Sequence, residues 1–191
     1  TSDALGVHYR RSGTSTQFEI LANLADSDSE YSYDEDWSFV GIAPDLEYSS
    51  FDRYLRDRRS RSAQLRLSSA SPLALAPGDL SWVAGAYVLN DEETLLREYT
   101  YQAEDFSSRF EALTIAAYGQ LDLDFNEAWS LSAGLRLAQR DMDYDDSQAV
   151  QASPDEDLWG GKLALSYSDD ALGMVYASIS RGYRAGGVNG S

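Results

Sequence analysis

A chain of 191 residues is long enough for one all-β domain with a real interior. Its 32 acidic against 15 basic residues give a formal charge of −17, which argues against a nucleic-acid partner and for water-exposed acidic segments. There is no cysteine, so disulfides, thiolate metal sites and cysteine nucleophiles are excluded; no apolar run approaches about 18 residues, so no transmembrane helix is expected.

Residues 5–11 (LGVHYRR) read as a first strand, and Ser12-Gly13-Thr14 as a short turn. Residues 16–29 alternate: Phe18, Ile20, Ala22 and Leu24 oppose Gln17, Glu19, Leu21 and Asn23, with Leu21 breaking the pattern. Residues 30–58 are rich in Asp, Glu, Ser, Tyr and Arg. That is too long for an ordinary connection, so a functional or mobile loop is expected. Residues 59–69 form the next strand, with Ala63, Leu65 and Leu67 on one face and Ser62, Gln64, Arg66 and Ser68 on the other. Pro72, Pro77 and Gly78 punctuate a turn. Residues 80–90 (LSWVAGAYVLN) read as a strand apolar on both faces, and a second polar excursion covers 91–110. Within it, residues 92–97 suit a strand continuation better than a helical turn.

The clearest hairpin follows. Leu113, Ile115, Ala117, Gly119, Leu121 and Leu123 oppose Thr114, Ala116, Tyr118, Gln120, Asp122 and Asp124. After a turn at Asn126-Glu127-Ala128, Trp129, Leu131, Ala133, Leu135 and Leu137 resume the apolar face, opposite Ser130, Ser132, Gly134, Arg136 and Arg140. A third, acidic excursion covers 141–157, a strand 158–168, a turn Asp169-Asp170, and a last strand 172–189.

The expected fold class is all-β: an antiparallel up-and-down meander of about eight strands, part of a transmembrane β-barrel. Connections alternate short and long, as the short periplasmic turns and longer extracellular loops of membrane barrels do; a soluble sandwich has no reason to gather every long loop at one end. The 13 tyrosines and 4 tryptophans suit strands and aromatic girdles. Residues 129–144, extended at about 3.3 Å per residue, reach about 50 Å and so clear a belt about 25 Å tall.

Residues 172–189 (LGMVYASISRGYRAGGVN) place Val175, Ala177 and Ile179 against Tyr176, Ser178 and Ser180, then run through Arg181-Gly182-Tyr183-Arg184 to Gly186-Gly187. This resembles the barrel strand of TonB-dependent outer-membrane receptors, in which a Tyr-Ala-Ser run leads into Gly-Tyr, a basic residue and paired glycines. Residues 62–69 (SAQLRLSS) followed by Trp82-Val83-Ala84-Gly85-Ala86-Tyr87 are similar to the family's paired strands. So are Ala117-Tyr118-Gly119-Gln120 and then residues 131–136 (LSAGLR). The three blocks cover about residues 60–189, in family order.

The resemblance implies TonB-dependent uptake of a scarce ligand across the bacterial outer membrane: a ferric siderophore, cobalamin or an oligosaccharide. It implies outer-membrane lipid, a small-molecule ligand and the TonB system as partners, the last through parts of the protein outside this sequence. No cofactor, enzyme activity or nucleic acid is implied. Against a full barrel of about 22 strands, residues 1–191 are expected to be a partial β-barrel domain. No leader, plug domain or TonB box is visible, and the sequence closes on Asn189-Gly190-Ser191 where the family closes on an aromatic residue, so an internal piece is expected. The alternatives are a self-contained eight-stranded outer-membrane barrel with a structural or adhesive role, and a soluble β-barrel binding protein lined by its apolar residues.

His8 is the sole histidine, and no nucleophile elbow accompanies it, so it reads as an ordinary strand residue. Asp141, Asp143 and Asp145 have the first, third and fifth spacing of a calcium loop, but Asp146 and Ala152 replace its glycine and its glutamate; Asp26, Asp28 and Glu30 repeat the spacing. On a strand that spacing simply puts carboxylates on one face, and no metal site is assigned. Arg66, Arg136 and Arg140 face a barrel lumen if the apolar faces meet lipid. There they pair with lumen acids such as Asp122 or contact a passing anionic ligand.

Overall fold

The computed structural model describes residues 1–36, 39, 41–42, 49–169 and 173–188. Ten strands form one antiparallel sheet: β1 (Ser2–Ser12), β2 (Thr16–Asp34), β3 (Phe51–Ser69), β4 (Leu73–Leu75), β5 (Gly78–Tyr99), β6 (Phe106–Asp124), β7 (Trp129–Asp146), β8 (Gln151–Ala152), β9 (Asp155–Asp169) and β10 (Gly173–Arg181). Eight long strands pair in the order β1-β2-β3-β5-β6-β7-β9-β10, and the short β4 and β8 add onto β5 and β7. The expected meander of about eight strands is therefore present, with β1 and β10 as its two edges.

The polar excursions differ from expectation. Much of 30–58 and most of 91–110 is strand: β2 and β3 stay in register up to Asp34↔Phe51, and β5 pairs with β6 up to Arg97↔Phe106. Likewise β7 runs through the acidic stretch to Asp146. Here the outer face turns polar while Asp52, Phe106, Met142 and Tyr144 are buried on the other, so the sequence loses the outward apolar pattern without losing the ladder. The last strand is shorter than its motif: it ends at Arg181, and the termini of the expected 172–189 strand, like Asp170 of the last turn and the closing 189–191, lie outside the described residues.

Register sorts the side chains onto two faces. One row runs Tyr9, Ile20, Leu65, Ala86, Ala117, Leu137 and Trp159; the next face over runs Arg10, Glu19, Arg66, Gly85, Tyr118, Arg136 and Gly160. Among the described strand residues, those buried are Glu19, Asp52, Phe106, Ala112, Ala116, Ala138, Met142, Tyr144 and Gly160, all on the second face. Large apolar side chains of the first face, such as Ile115, Leu121 and Leu135, stand more than half exposed. A curved sheet shelters its hollow side, so the polar face is concave and the apolar face convex. An interior lined by the apolar residues, as the soluble reading required, is not what forms.

The convex apolar belt has the dimensions of a bilayer core. On β6 it extends from Leu113 to Leu123, about 33 Å along the strand and about 25 Å tall at the roughly 40° tilt usual in membrane barrels. Its lower edge steps from Phe18 and Leu67, through Leu80 and Leu123, to Trp129, Tyr167 and Val175. Each step falls toward the short turns, as tilted strands require if the belt is to stay level. Trp129 and Tyr167, 4.9 Å apart between ring centres, mark the lower edge, and Trp159 the upper, two residues from Asp157.

Candidate functional site

The concave wall carries two polar constellations. The upper one lies on β2, β3 and β5, about ten residues above the apolar belt. Asp52 is fully buried. It accepts hydrogen bonds from Arg97 Nε at 2.9 Å and Nη2 at 2.7 Å, and from the hydroxyls of Tyr33 and Tyr54, each at 3.1 Å. The Arg97 guanidinium also lies 5.2 Å from the Tyr54 ring centre and 5.4 Å from that of Tyr99. The Arg97 hydrogen bonds hold the Asp52 carboxyl below the usual carboxylate range despite burial. Partial burial, then the Asp52 carboxylate, push the Tyr33 hydroxyl up. One and two strands over, the rings of Phe106 and Tyr144 are buried on the same face. Below them Arg56 and Arg58 share the single carboxylate of Glu93, Arg56 at 3.1 Å.

The lower constellation sits at belt height. Glu19 is buried, and it is contacted by Arg10, by Arg66 at 3.7 Å and by His8 at 3.8 Å. Three strands along the same row stands Arg136. Between them Tyr118 lies flat over Gly85: a Cβ on Gly85 would come within 2.5 Å of the tyrosine ring. The Gln64 amide donates to the Tyr118 hydroxyl.

The three expected arginines all lie on the concave face, but differently held. Arg66 pairs with Glu19 rather than Asp122, whose carboxylate accepts from the Gln120 amide at 2.9 Å. Arg136 Nε donates to the Tyr183 hydroxyl at 2.7 Å, and its guanidinium is 5.7 Å from the Tyr87 ring centre. Arg140 Nη1 donates to the Gly186 carbonyl at 2.6 Å, while the Gly186 N–H donates to Glu156 at 3.0 Å. Residues 182–188 thus turn inward across the concave face after β10, with Tyr183 against Gly160. His8 is a concave-face strand residue beside Glu19. Asp141, Asp143 and Asp145 share the outer face of β7, and among the described residues no acidic or histidine group is arranged to hold a metal ion.

Sequence reasoning missed the Asp52–Arg97 centre and Lys162. The signal for the first was the period-two placement of Tyr31 and Tyr33, then Asp52 and Tyr54, inside stretches read as loop. For the second it was phase: Lys162 falls with Gly160 and Ala164, opposite Leu163 and Leu165.

The whole chain, residues 1–191, matches the family model described as TonB dependent receptor-like, beta-barrel. Among curated proteins, none matches the sequence. The ferric yersiniabactin uptake receptor FyuA from Yersinia pestis superposes with a TM-score of 0.73 at 16% identity, over 93% of this chain and 27% of that one. The ferric citrate transporter FecA, in its unliganded form, gives 0.72 at 14% identity, over 94% of this chain and 26% of that one. The copper transporter OprC gives 0.69 at 14% identity, over 94% and 31%. At such identities the likeness shows the fold alone, and the chain spans about a quarter to a third of the structures it matches.

Proposed function

The chain belongs to the TonB-dependent receptor family, as part of its β-barrel, and from that premise we propose that residues 1–191 are one arc of an outer-membrane uptake receptor. The family is one of outer-membrane transport receptors rather than enzymes. The arc's convex belt meets lipid, its upper strands rise into the medium, and its concave wall lines the path of a scarce small-molecule ligand. That ligand is a ferric siderophore, cobalamin or an oligosaccharide, moved at the expense of TonB through parts of the protein beyond this arc. Arg66, Arg136 and Arg140 are the proposed lumen contacts. The observation that carries the reading is the division of faces: apolar side chains outward over a bilayer's height, charged and aromatic ones inward.

Expression of the full-length receptor in a bacterium stripped of its own ferric-chelate receptors tests this. Growth on ferric citrate, a ferric catecholate, a ferric hydroxamate, cobalamin or an oligosaccharide as limiting nutrient is expected to need both receptor and TonB. Growth indifferent to TonB, or absent on every nutrient, would overturn the reading.

A further inference from the structure

After β10 the chain crosses the concave face and is anchored there at two points. The upper anchor involves Arg140 on β7 and Glu156 on β9, which stand directly opposite each other on that face. Cross-strand partners so placed are about 4.5–5.5 Å apart at their Cβ atoms, an easy reach for an ion pair. Among the described residues no ion pair joins these two. Each instead holds one side of the same residue. Arg140 Nη1 donates to the Gly186 carbonyl at 2.6 Å, and Glu156 accepts from the Gly186 N–H at 3.0 Å. The backbone of residue 186 is thus clasped between opposite charges that could satisfy each other.

The seat beneath is shaped for the segment. Tyr183 lies against Gly160, where a Cβ would come within 3.2 Å of its ring. Its hydroxyl accepts from Arg136 Nε at 2.7 Å. Gly160 is buried, although the segment over it is largely exposed. At Gly186 a Cβ would come within 2.7 Å of the Glu156 carboxylate, so the missing side chain permits the close approach. Gly182 and Gly187, to either side of the anchors, have open space around them. An exposed segment with glycine hinges and a few polar anchors belongs to the easily opened part of a fold.

We propose that residues 182–188 form a latch on the concave wall with two positions. Shut, it covers Gly160 and occupies Arg136 and Arg140. Lifted, Arg136 keeps the Tyr87 ring and loses its hydroxyl partner, while Arg140 and Glu156 close on each other. The ion pair formed on opening offsets the charge-assisted hydrogen bonds lost, so neither position is overwhelmingly favoured. The latch sets when Arg136 is open to a solute in the lumen, and it rests on the uptake reading only for that orientation.

Hydrogen exchange at the residue-186 amide reports the shut position, read in the full-length receptor in detergent by fragmentation mass spectrometry. In the parent it is expected to be slowed at least about tenfold relative to an unstructured peptide, the scale of one hydrogen bond to a charged group. Exchanging the charges, Arg140→Glu with Glu156→Arg, keeps the direct ion pair but presents a carboxylate to the Gly186 carbonyl and a guanidinium to its N–H. That exchange is expected to abolish the protection and leave the thermal unfolding midpoint unchanged. Gly186→Ala pushes the Glu156 carboxylate aside without backbone strain, whereas Gly187→Ala meets nothing. The first is expected to lose the protection and to speed modification of Arg136 by phenylglyoxal at least about threefold, the scale of one neutral hydrogen bond. The second is expected to change neither. An unprotected amide in the parent, or protection that survives either the charge exchange or Gly186→Ala, overturns the latch. So does an Arg136 equally reactive in the parent and in Gly186→Ala. A charge-exchanged receptor that fails to fold overturns the lifted position, and Gly186→Ala then decides the shut one. Neither readout needs TonB, growth or a ligand, so the latch stands or falls independently of the uptake assay.

Discussion

Below and above the upper edge of the belt, the same strands exchange the character of their faces. At belt height the outer side of β6 and β7 is Leu, Ile and Ala, and the concave side holds Tyr118, Gln120 and Arg136. Above it the outer side becomes Glu111, Arg109, Asp143 and Asp145, while the concave side gains Phe106, Phe110, Met142 and Tyr144. The period of two never changes; what changes is the solvent outside. On the proposed membrane orientation, lipid accepts apolar side chains, so the lower wall stores its apolar surface outward. Water does not, so the upper wall turns its aromatic surface inward and packs it around the Asp52–Arg97 pair.

The largest way to break this contrast is Asp52→Ala. It leaves the Arg97 guanidinium without its counter-charge, and removing one partner of a buried pair costs about 3–5 kcal/mol. The lower figure is expected here, because the Arg97 side chain keeps 24% exposure. Hydrogen exchange in the full-length receptor should show loss of protection at the upper ends of β3 and β5, with the belt untouched. Uniform loss down to the short turns would mean that the two regions are one cooperative unit.

Leu121→Arg, in the middle of the convex belt, should cost about 2–4 kcal/mol in lipid vesicles, measured by denaturant unfolding. Asp143→Arg, on the same face above the belt, should fall within about 0.5 kcal/mol of the parent. Equal costs at the two positions would remove the bilayer from the explanation.

Gly85→Ala tests the concave face at belt height. The added methyl meets the Tyr118 ring and, at 2.8 Å, the Leu65 carbonyl oxygen, and overpacking of this kind costs about 1–3 kcal/mol. Pairing it with Tyr118→Ala should relieve the ring's share of the clash and leave the share against the Leu65 carbonyl, a coupling that a double-mutant cycle would read.

Acid is expected to give the mildest effect. The Asp52 carboxyl is lowered in the folded wall, so its contribution is fully present above the ordinary aspartate value of about 4 and is lost as the pH falls below it. Protection of the upper strands should therefore decline below about pH 4 in the parent and stay flat in Asp52→Asn. A decline centred near neutral pH would point to a different group.

Where the outer face is an apolar belt, the fold was legible. Alternation in 113–123 and 129–137 survived intact into β6 and β7, and Ala63, Leu65 and Leu67 do share a face. Where both faces met water, composition misled: Tyr31, Arg53 and Glu98 look like loop residues, yet they sit in paired strands. The shared face of Arg66, Arg136 and Arg140 followed from phase alone, but their partners did not. Glu19 is 47 residues from Arg66, and Tyr183 is 47 residues from Arg136.

By itself the sequence determined the strand rhythm, the placement of the short turns, the polarity of each face within the belt and the family. These follow from local spacing, since alternation, turn residues and short motifs are written within a few positions of one another. Only the tertiary structure decided that the apolar face is convex, that the polar excursions are walls, and that Asp52 is buried beneath Arg97 while Arg66 meets Glu19 and Arg136 meets Tyr183. Curvature and cross-strand register are properties of many strands at once. No single strand carries the information that sets them.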